Sequence, residues 1–400
     1  MCGFELLLCL KGESTFFASD NLLGFEVPED YTNEFYEQKE QRLKLLHNRG
    51  PDYASDHSVL ALPHYSAFFT STVLQIQGDI LVPQPVVSSE GSILVWNGEL
   101  LNHSEFEESN TMQNDTLLIA QLLSCSPPCN ILDHAKGPFS FIYLDTSKNL
   151  LWFGKDKFGR RSLLLRFVEP SKVVLSSVGL PGVEVPAGKG IYSINLLSGL
   201  VAFHPWQSTA AHLSTRFMLN DHTNLIGSVF RDFSPCDELY EIMLASTRRH
   251  FMSVRVTAPL GILFSGGVDS VIITCIATEA LLSCPQTTRN MFPCIHLITV
   301  SANSCTQDEI KPAARSSPDR GTAAVSFLEI RERFRGRVHE SFFSLICVDI
   351  SPADISANEV HILSLSRPNN SHMDFNISCA LWFGGKPAQI ILRSNTFNSQ

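Results

Sequence analysis

Short apolar runs that alternate with polar positions recur through the first half of the chain, with turn residues between them: Glu5 to Leu10, Ser66 to Gln77, Ser92 to Trp96, Pro138 to Leu144, Leu150 to Phe153, Lys172 to Ser176 and Gly190 to Leu196. A period of two puts every second side chain on one face, so these runs predict antiparallel strands. Segments over Asn33 to Asn48 and Asp115 to Leu123 supply two helices to pack on them, giving an α+β domain over residues 2–206. Residues 207–235 are polar, without a long apolar period, and read as a linker.

After position 236 the pattern changes. Asp237 to Val254 has helical spacing, with Leu239, Ile242, Met243, Ser246 and Phe251 placed to share a buried side. The runs Gly261 to Phe264, Ile295 to Val300, Phe342 to Val348 and a fourth candidate at Ala388 to Leu392 follow, separated by helix-length segments. Strands alternating with helices predict a parallel sheet, an α/β domain over 236–400 that binds its ligand beyond the carboxyl ends of its strands.

Composition narrows the function. At 44% hydrophobic and 18% charged residues the chain is globular, and its net charge of −10 argues against a dedicated nucleic-acid binder. The basic stretch Lys311 to Arg337, with Arg315, Arg320, Arg331, Arg333, Arg335 and Arg337, reads as a solvated face before an anion site. No apolar run reaches the ~18 residues of a membrane helix, and Leu6 to Leu10 lacks the basic leader of an export signal. Eleven cysteines without paired spacing suit reduced thiols and a cytoplasmic setting. Cys125 and Cys129 with His134 lack the second pair that a structural zinc site needs.

Two features carry chemistry. Ser265-Gly266-Gly267-Val268-Asp269-Ser270 lies between the apolar run ending at Phe264 and the helical Val271 to Ala277. Glycines there let backbone N–H groups approach a ligand, and the helix N-terminus adds positive charge, so the turn selects an anion. It is no Walker loop, since no Lys lies between Lys189 and Lys311. It is no serine-hydrolase elbow either, because Leu263 stands at the first glycine position of that motif. At the other end the chain reads Met1-Cys2-Gly3. Loss of Met1 would leave Cys2 with a free α-amino group, of ordinary pKa near ~7.7, on the same residue as its thiol; nucleophile and base then come together.

The turn at 265–270 resembles the pyrophosphate loop of ATP pyrophosphatases. Cys2, Arg49-Gly50-Pro51-Asp52, Trp96-Asn97-Gly98-Glu99, Asn114-Asp115-Thr116, Gly137 to Phe141 and Asp156 to Arg161 resemble, in order and spacing, the class II glutamine amidotransferases, whose domain is an Ntn-type sandwich of antiparallel sheets. Together the two halves resemble asparagine synthetases, in a divergent branch. The resemblance implies a nucleophile at Cys2, an oxyanion hole at Asn97 and Gly98, an acceptor for the α-ammonium of glutamine at Asp115, and support of the nucleophile's loop by Arg49. It also implies ATP held by Ser265, Gly266, Gly267, Asp269 and Ser270, with Mg²⁺ on Asp269 and adenine near Val300. The expected partners are glutamine, ATP and aspartate or a similar carboxylate, with a second copy as a homodimer, and neither nucleic acid nor membrane.

The chain departs from that family twice. Where asparagine synthetases carry Arg-Leu-Ser-Ile-Val, with the arginine on the α-carboxylate of glutamine, the stretch here is Val73-Leu74-Gln75-Ile76-Gln77. Valine makes no ion pair, so glutamine would bind more weakly or through another cation. The downstream Gly-x-Gly-x-Asp-Glu signature is missing after Ala380 to Gly385, which predicts an incomplete synthetase domain with exposed apolar surface. The expected function is glutamine-dependent, ATP-driven amidation of a carboxylate. The alternative is an impaired or inactive relative with an interaction or regulatory role.

Overall fold

A computed structural model describes residues 2–12, 14–18, 39–106, 114–179, 183–207, 235–302, 318–366 and 371–385. The chain divides into two units, Met1–Arg231 and Asp232–Gln400. The boundary falls within residues 208–234, so most of the expected linker lies outside the described residues, as does the fourth strand candidate at Ala388 to Leu392.

The first unit contains β1 (Gly3–Leu10), β2 (Phe17–Ala18), α1 (Lys39–Arg49), β3 (Tyr53–Ala61), β4 (Tyr65–Val73), β5 (Val86–Val87), β6 (Ile93–Gly98), α2 (Asp115–Cys125), α3 (Pro128–Leu132), β7 (Phe139–Asp145), β8 (Leu150–Lys155), β9 (Leu164–Glu169), β10 (Lys172–Ser176), β11 (Val183–Glu184), β12 (Gly190–Asn195) and β13 (Leu200–Pro205). One sheet runs β11-β9-β10-β1-β4-β3, the other β2-β13-β12-β8-β7-β6-β5. Neighbours are antiparallel except β2, which pairs in parallel with β13 at the sheet edge. The alternation explains the layering: Phe4, Leu6, Leu8 and Leu10 of β1 share a core with Ile93 and Val95 of β6 and Ile142 and Leu144 of β7, from the facing sheet. The other side of the second sheet buries Trp96, Phe139, Phe141 and Tyr143 against Leu118, Ile119 and Leu123 of α2. The central strand β7 is buried at every position because both its faces are covered.

On the outward side of β1, Glu5 meets Arg42 of α1 at 2.9 Å, both nearly buried. Loss of one partner from such a pair costs about 3–5 kcal/mol, so this contact fixes α1 on the first sheet. It is one of the ties that hold the end of α1 beside the start of the chain.

The second unit holds α4 (Pro235–Ser253), β14 (Leu260–Leu263), α5 (Val268–Leu282), α6 (Gln286–Met291), β15 (Ile295–Ala302), α7 (Pro318–Arg333), β16 (Phe343–Ile350), α8 (Pro352–Ser366) and α9 (His372–Gly384). Its three described strands are parallel, in the order β14-β15-β16. One sequence expectation needs correction. Leu239 and Ile242 are 58% and 55% exposed and Ser246 is exposed too, because α4 packs along a different seam. Leu244, Phe251 and Met252, seven and one residues apart, meet Ala277, Ala280 and Leu281 of α5 instead. Among the described residues no helix is long and apolar enough to cross a membrane.

Candidate active site

Strand pairing brings the N-terminal site together. In the β1–β4 ladder Gly3 stands opposite Thr72, which sets Cys2 beside Val73 at the end of β4. The hydroxyl of Thr72 accepts from the Gly3 N–H at 3.2 Å and donates to the Leu46 carbonyl at 2.8 Å, tying α1 to the strand that follows Cys2. A Cβ on Gly3 would lie 2.7 Å from the Thr72 hydroxyl, so this approach requires glycine. In the other sheet Gly98 stands opposite Phe139, and a Cβ there would lie 2.5 Å from that of Phe139. Asn97 and Gly98 thus end β6 in a fixed position. They share one cleft with Cys2, Val73, Gln84, Glu99, Asp115 and Arg161.

The cleft's polar groups are unevenly satisfied. Asn97 is 1% exposed, and neither its Nδ2 nor its Oδ1 has a hydrogen-bond partner among the described residues. A buried amide left without partners costs about 1–3 kcal/mol, a cost recovered when a ligand supplies them. Asp115 lies in the first turn of α2; the N-cap is Asn114, whose side chain accepts from the Thr116 N–H. The Asp115 carboxylate accepts from the N–H groups of Thr116 at 2.8 Å and Leu100 at 3.2 Å and from the Trp96 indole at 3.4 Å. Burial outweighs these donors and pushes its carboxyl up to about 6.

Burial also raises the Cys2 thiol, outweighing a backbone hydrogen bond at Leu74 and the charge of Arg161, which lower it. Gln84, unassigned in the sequence reading, connects the two halves of the cleft. Its Nε2 faces the Cys2 sulfur at 3.9 Å and donates to the Trp96 carbonyl at 3.0 Å, while its Oε1 accepts from the Trp96 N–H at 2.7 Å. It therefore holds the strand just before Asn97. Glu99 and Arg161 also belong to the cleft, joined Oε1 to Nη2 at 2.8 Å. Both fall inside segments that the sequence singled out, but their contact is tertiary.

Arg49 is not among the residues lining the cleft. It ends α1, where Gly50 crowds the backbone of Thr72 and Val73 and the Asp52 N–H donates to the Val73 carbonyl at 3.0 Å. Burial and the neighbouring Arg161 lower the Arg49 guanidinium to about 10.

In the second unit the turn joins β14 to α5. Gly266 has φ +79°, and a Cβ there would lie 2.4 Å from the Ala323 nitrogen of α7, so only glycine fits. The Ser326 hydroxyl fixes its carbonyl at 2.8 Å. Gly267 is the N-cap, its N–H donating to Ser265 Oγ at 3.3 Å, and Ser270 Oγ donates to the Gly267 carbonyl at 2.9 Å. Ser265, Gly267 and Asp269 are exposed. A strained glycine ahead of an open helix N-terminus fits a phosphate cradle, and a single exposed carboxylate fits the one or two by which Mg²⁺ is held beside phosphate oxygens. Val300 of β15 packs half-buried against Ile346, Val348 and Phe383. In the basic stretch, Arg335 and Arg337 are exposed and pair with Glu332 and Glu279, as on a solvated face, whereas Arg320 is mostly covered and pairs with Asp349.

A thiol, a buried amide without hydrogen-bond partners among the described residues and a buried carboxylate thus share one cleft in the unit built from two antiparallel sheets. Residues 70–179 match the family model described as a glutamine amidotransferase domain. The chain is similar to asparagine synthetase domain-containing protein 1 of Mus musculus, at 25% identity over 87% of this chain and 72% of that protein. It is similar to the Homo sapiens protein of the same name, at 34% identity over 48% of this chain and 31% of that one. Asparagine synthetase B [glutamine-hydrolyzing] of Escherichia coli (strain K12) matches at 26% identity over 59% of this chain and 40% of that protein. The chain is thus similar to asparagine synthetase domain-containing proteins, and its residues 70–179 match a glutamine amidotransferase domain. It spans less than a third of the human relative's length and most of the mouse one's.

Proposed function

We propose that the first unit hydrolyses the side-chain amide of glutamine and that the second uses ATP to activate aspartate or a related carboxylate for amidation by the ammonia released. Once Met1 is removed, the α-amino group of Cys2 takes the thiol proton, and the sulfur attacks the amide carbon. The carbonyl oxygen becomes an oxyanion, for which the Asn97 Nδ2 and the Gly98 N–H are the donors; one such donor contributes about 2.7–4 kcal/mol. Collapse breaks the C–N bond, the α-ammonium returns its proton to the nitrogen, and ammonia leaves a thioester on Cys2. Water then attacks the thioester, releasing glutamate and the thiol. Asp115 pairs with the α-ammonium of the substrate throughout.

The single observation that carries this reading is Asn97: a fully buried amide without hydrogen-bond partners among the described residues, in the same cleft as Cys2. In the second unit the Ser265–Ser270 turn would hold the pyrophosphate as the carboxylate is adenylated, with Mg²⁺ at Asp269 neutralising phosphate charge. The setting proposed is cytoplasmic, in keeping with the ten described cysteines, all free thiols. Val73, buried in the cleft where the family resemblance calls for an arginine, favours the second reading, a relative with weak or lost glutaminase activity and a regulatory role. Two assays separate these readings: glutamate release from glutamine by wild type against Cys2→Ala, and ATP-to-pyrophosphate exchange with aspartate. Equal release by both proteins removes the glutaminase reading, and no exchange at millimolar ligand removes the synthetase reading.

A further inference from the structure

A free amino acid is a zwitterion, so a cleft that binds one needs a carboxylate for its ammonium and a cation for its carboxylate. Asp115 is the first, and Val73 cannot be the second. The guanidinium that lines the cleft is Arg161, with a side chain 17% exposed, held by Glu99 at 2.8 Å. Its turn is anchored to the oxyanion strand pair. Asp156, 2% exposed, accepts from the N–H groups of Phe139 at 3.1 Å, Phe158 at 3.0 Å and Arg160 at 3.0 Å, and from Nε of Arg160 at 3.0 Å. Phe139 is the residue opposite Gly98. Arg161 therefore keeps a set position relative to Asn97, Gly98 and Cys2.

Charge points the same way. Arg49 lies near enough for Arg161 to lower its basicity, so positive charge gathers beside Arg161. Asp115 supplies one negative charge. A ligand with one carboxylate and one ammonium complements both. We infer that Arg161 binds the α-carboxylate of the amino acid whose side-chain amide faces Cys2, the task that an arginine at position 73 would otherwise perform. The inference rests on the glutamine reading and names its specificity-determining residue. Planar, five-donor arginine suits this task better than lysine, because two parallel N–H bonds can meet one carboxylate.

The test follows alkylation of Cys2 by iodoacetamide in the full chain, read by peptide mass spectrometry, with L-glutamine or 4-aminobutanamide as protectant. The second ligand keeps the amide and the ammonium but has no carboxylate. L-Glutamine should protect wild type, and Arg161→Ala should raise its half-protection concentration about 10- to 100-fold, the loss of a charged hydrogen-bonded contact. Arg161→Lys should fall between. For 4-aminobutanamide the half-protection concentration should change less than about 3-fold in either variant, since coupling needs both partners. Parallel loss for both ligands would assign Arg161 a purely structural role and overturn the inference. So would unchanged glutamine protection in Arg161→Ala or, if that variant fails to fold, in Arg161→Lys, as would failure of glutamine to protect wild type. Protection is independent of turnover: if glutamine protects through Arg161 while glutamate release equals that of Cys2→Ala, the hydrolysis reading falls and this one stands.

Discussion

Both candidate sites have a glycine at or just beyond the end of a strand, yet the two glycines serve different purposes. At Gly98 the missing Cβ permits close pairing of β6 with Phe139 and so places the buried Asn97 side chain. At Gly266 the backbone itself takes a left-handed φ of +79° against Ala323, and Ser265 and Asp269 remain open to solvent. The first glycine places a buried amide, unpartnered among the described residues, inside a walled cleft. The second presents backbone N–H groups and a helix end to any suitable phosphate. Chemical selectivity in the first unit therefore resides in buried side chains, whereas the second unit offers charge complementarity and depends on further groups for selectivity.

That contrast can be broken by substitution. Asn97→Ala is expected to lower kcat for glutamine hydrolysis about 10²- to 10³-fold with a small change in KM, because the oxyanion forms only along the reaction; steady-state kinetics check this. Gly266→Ala should reduce ATP-to-pyrophosphate exchange about 10-fold or more through strain of 1–3 kcal/mol, roughly, at the turn. The same variant should leave glutamate release within about 2-fold of wild type, since the turn and the cleft belong to different units and share no residue. A fall in both activities would erase the distinction.

The pH profile sharpens it. The Asp115 carboxyl, raised by burial to about 6, must be ionised to accept the ammonium. Hence kcat/KM for glutamine should fall about 10-fold per unit as pH drops below that value, and should be restored on returning to neutral pH. The smallest effect expected is that of Gln84→Ala. Loss of its two bonds to the Trp96 backbone should cost about 1–3 kcal/mol in the stability of the first unit, measured as a lower Tm, and about 10-fold in kcat if Asn97 is displaced.

Much of the fold was legible because the strands that build the cleft are covered on at least one face. β1, β7, β10 and β12 coincide closely with alternating runs. β3, β9 and β13 did not stand out: Tyr53–Ala61 mixes Ser, Asp and His with its apolar residues, and its identity as a strand comes from pairing with β4. The run from Ser66 to Gln77 overshot the strand, which ends at Val73, where the Asp52 carboxylate takes the Gln75 N–H at 2.8 Å and turns the chain away. Cys2, Asn97, Gly98 and Asp115 were legible as motif positions and meet in one cleft. Gln84 was not, since a lone glutamine has no local signature and its role depends on touching residues 82 and 12 positions away. Arg161 lay in view within its segment, but only the fold sets it against Glu99.

The central claim is that Cys2 is the nucleophile of a working amidotransferase cleft. Its most direct test is glutamate release from L-glutamine by purified full-length chain, with loss of Met1 verified by mass spectrometry, alongside Cys2→Ala of matched Tm. Wild type should release glutamate slowly but measurably, and the variant none above background. Equal release by the two proteins would contradict it.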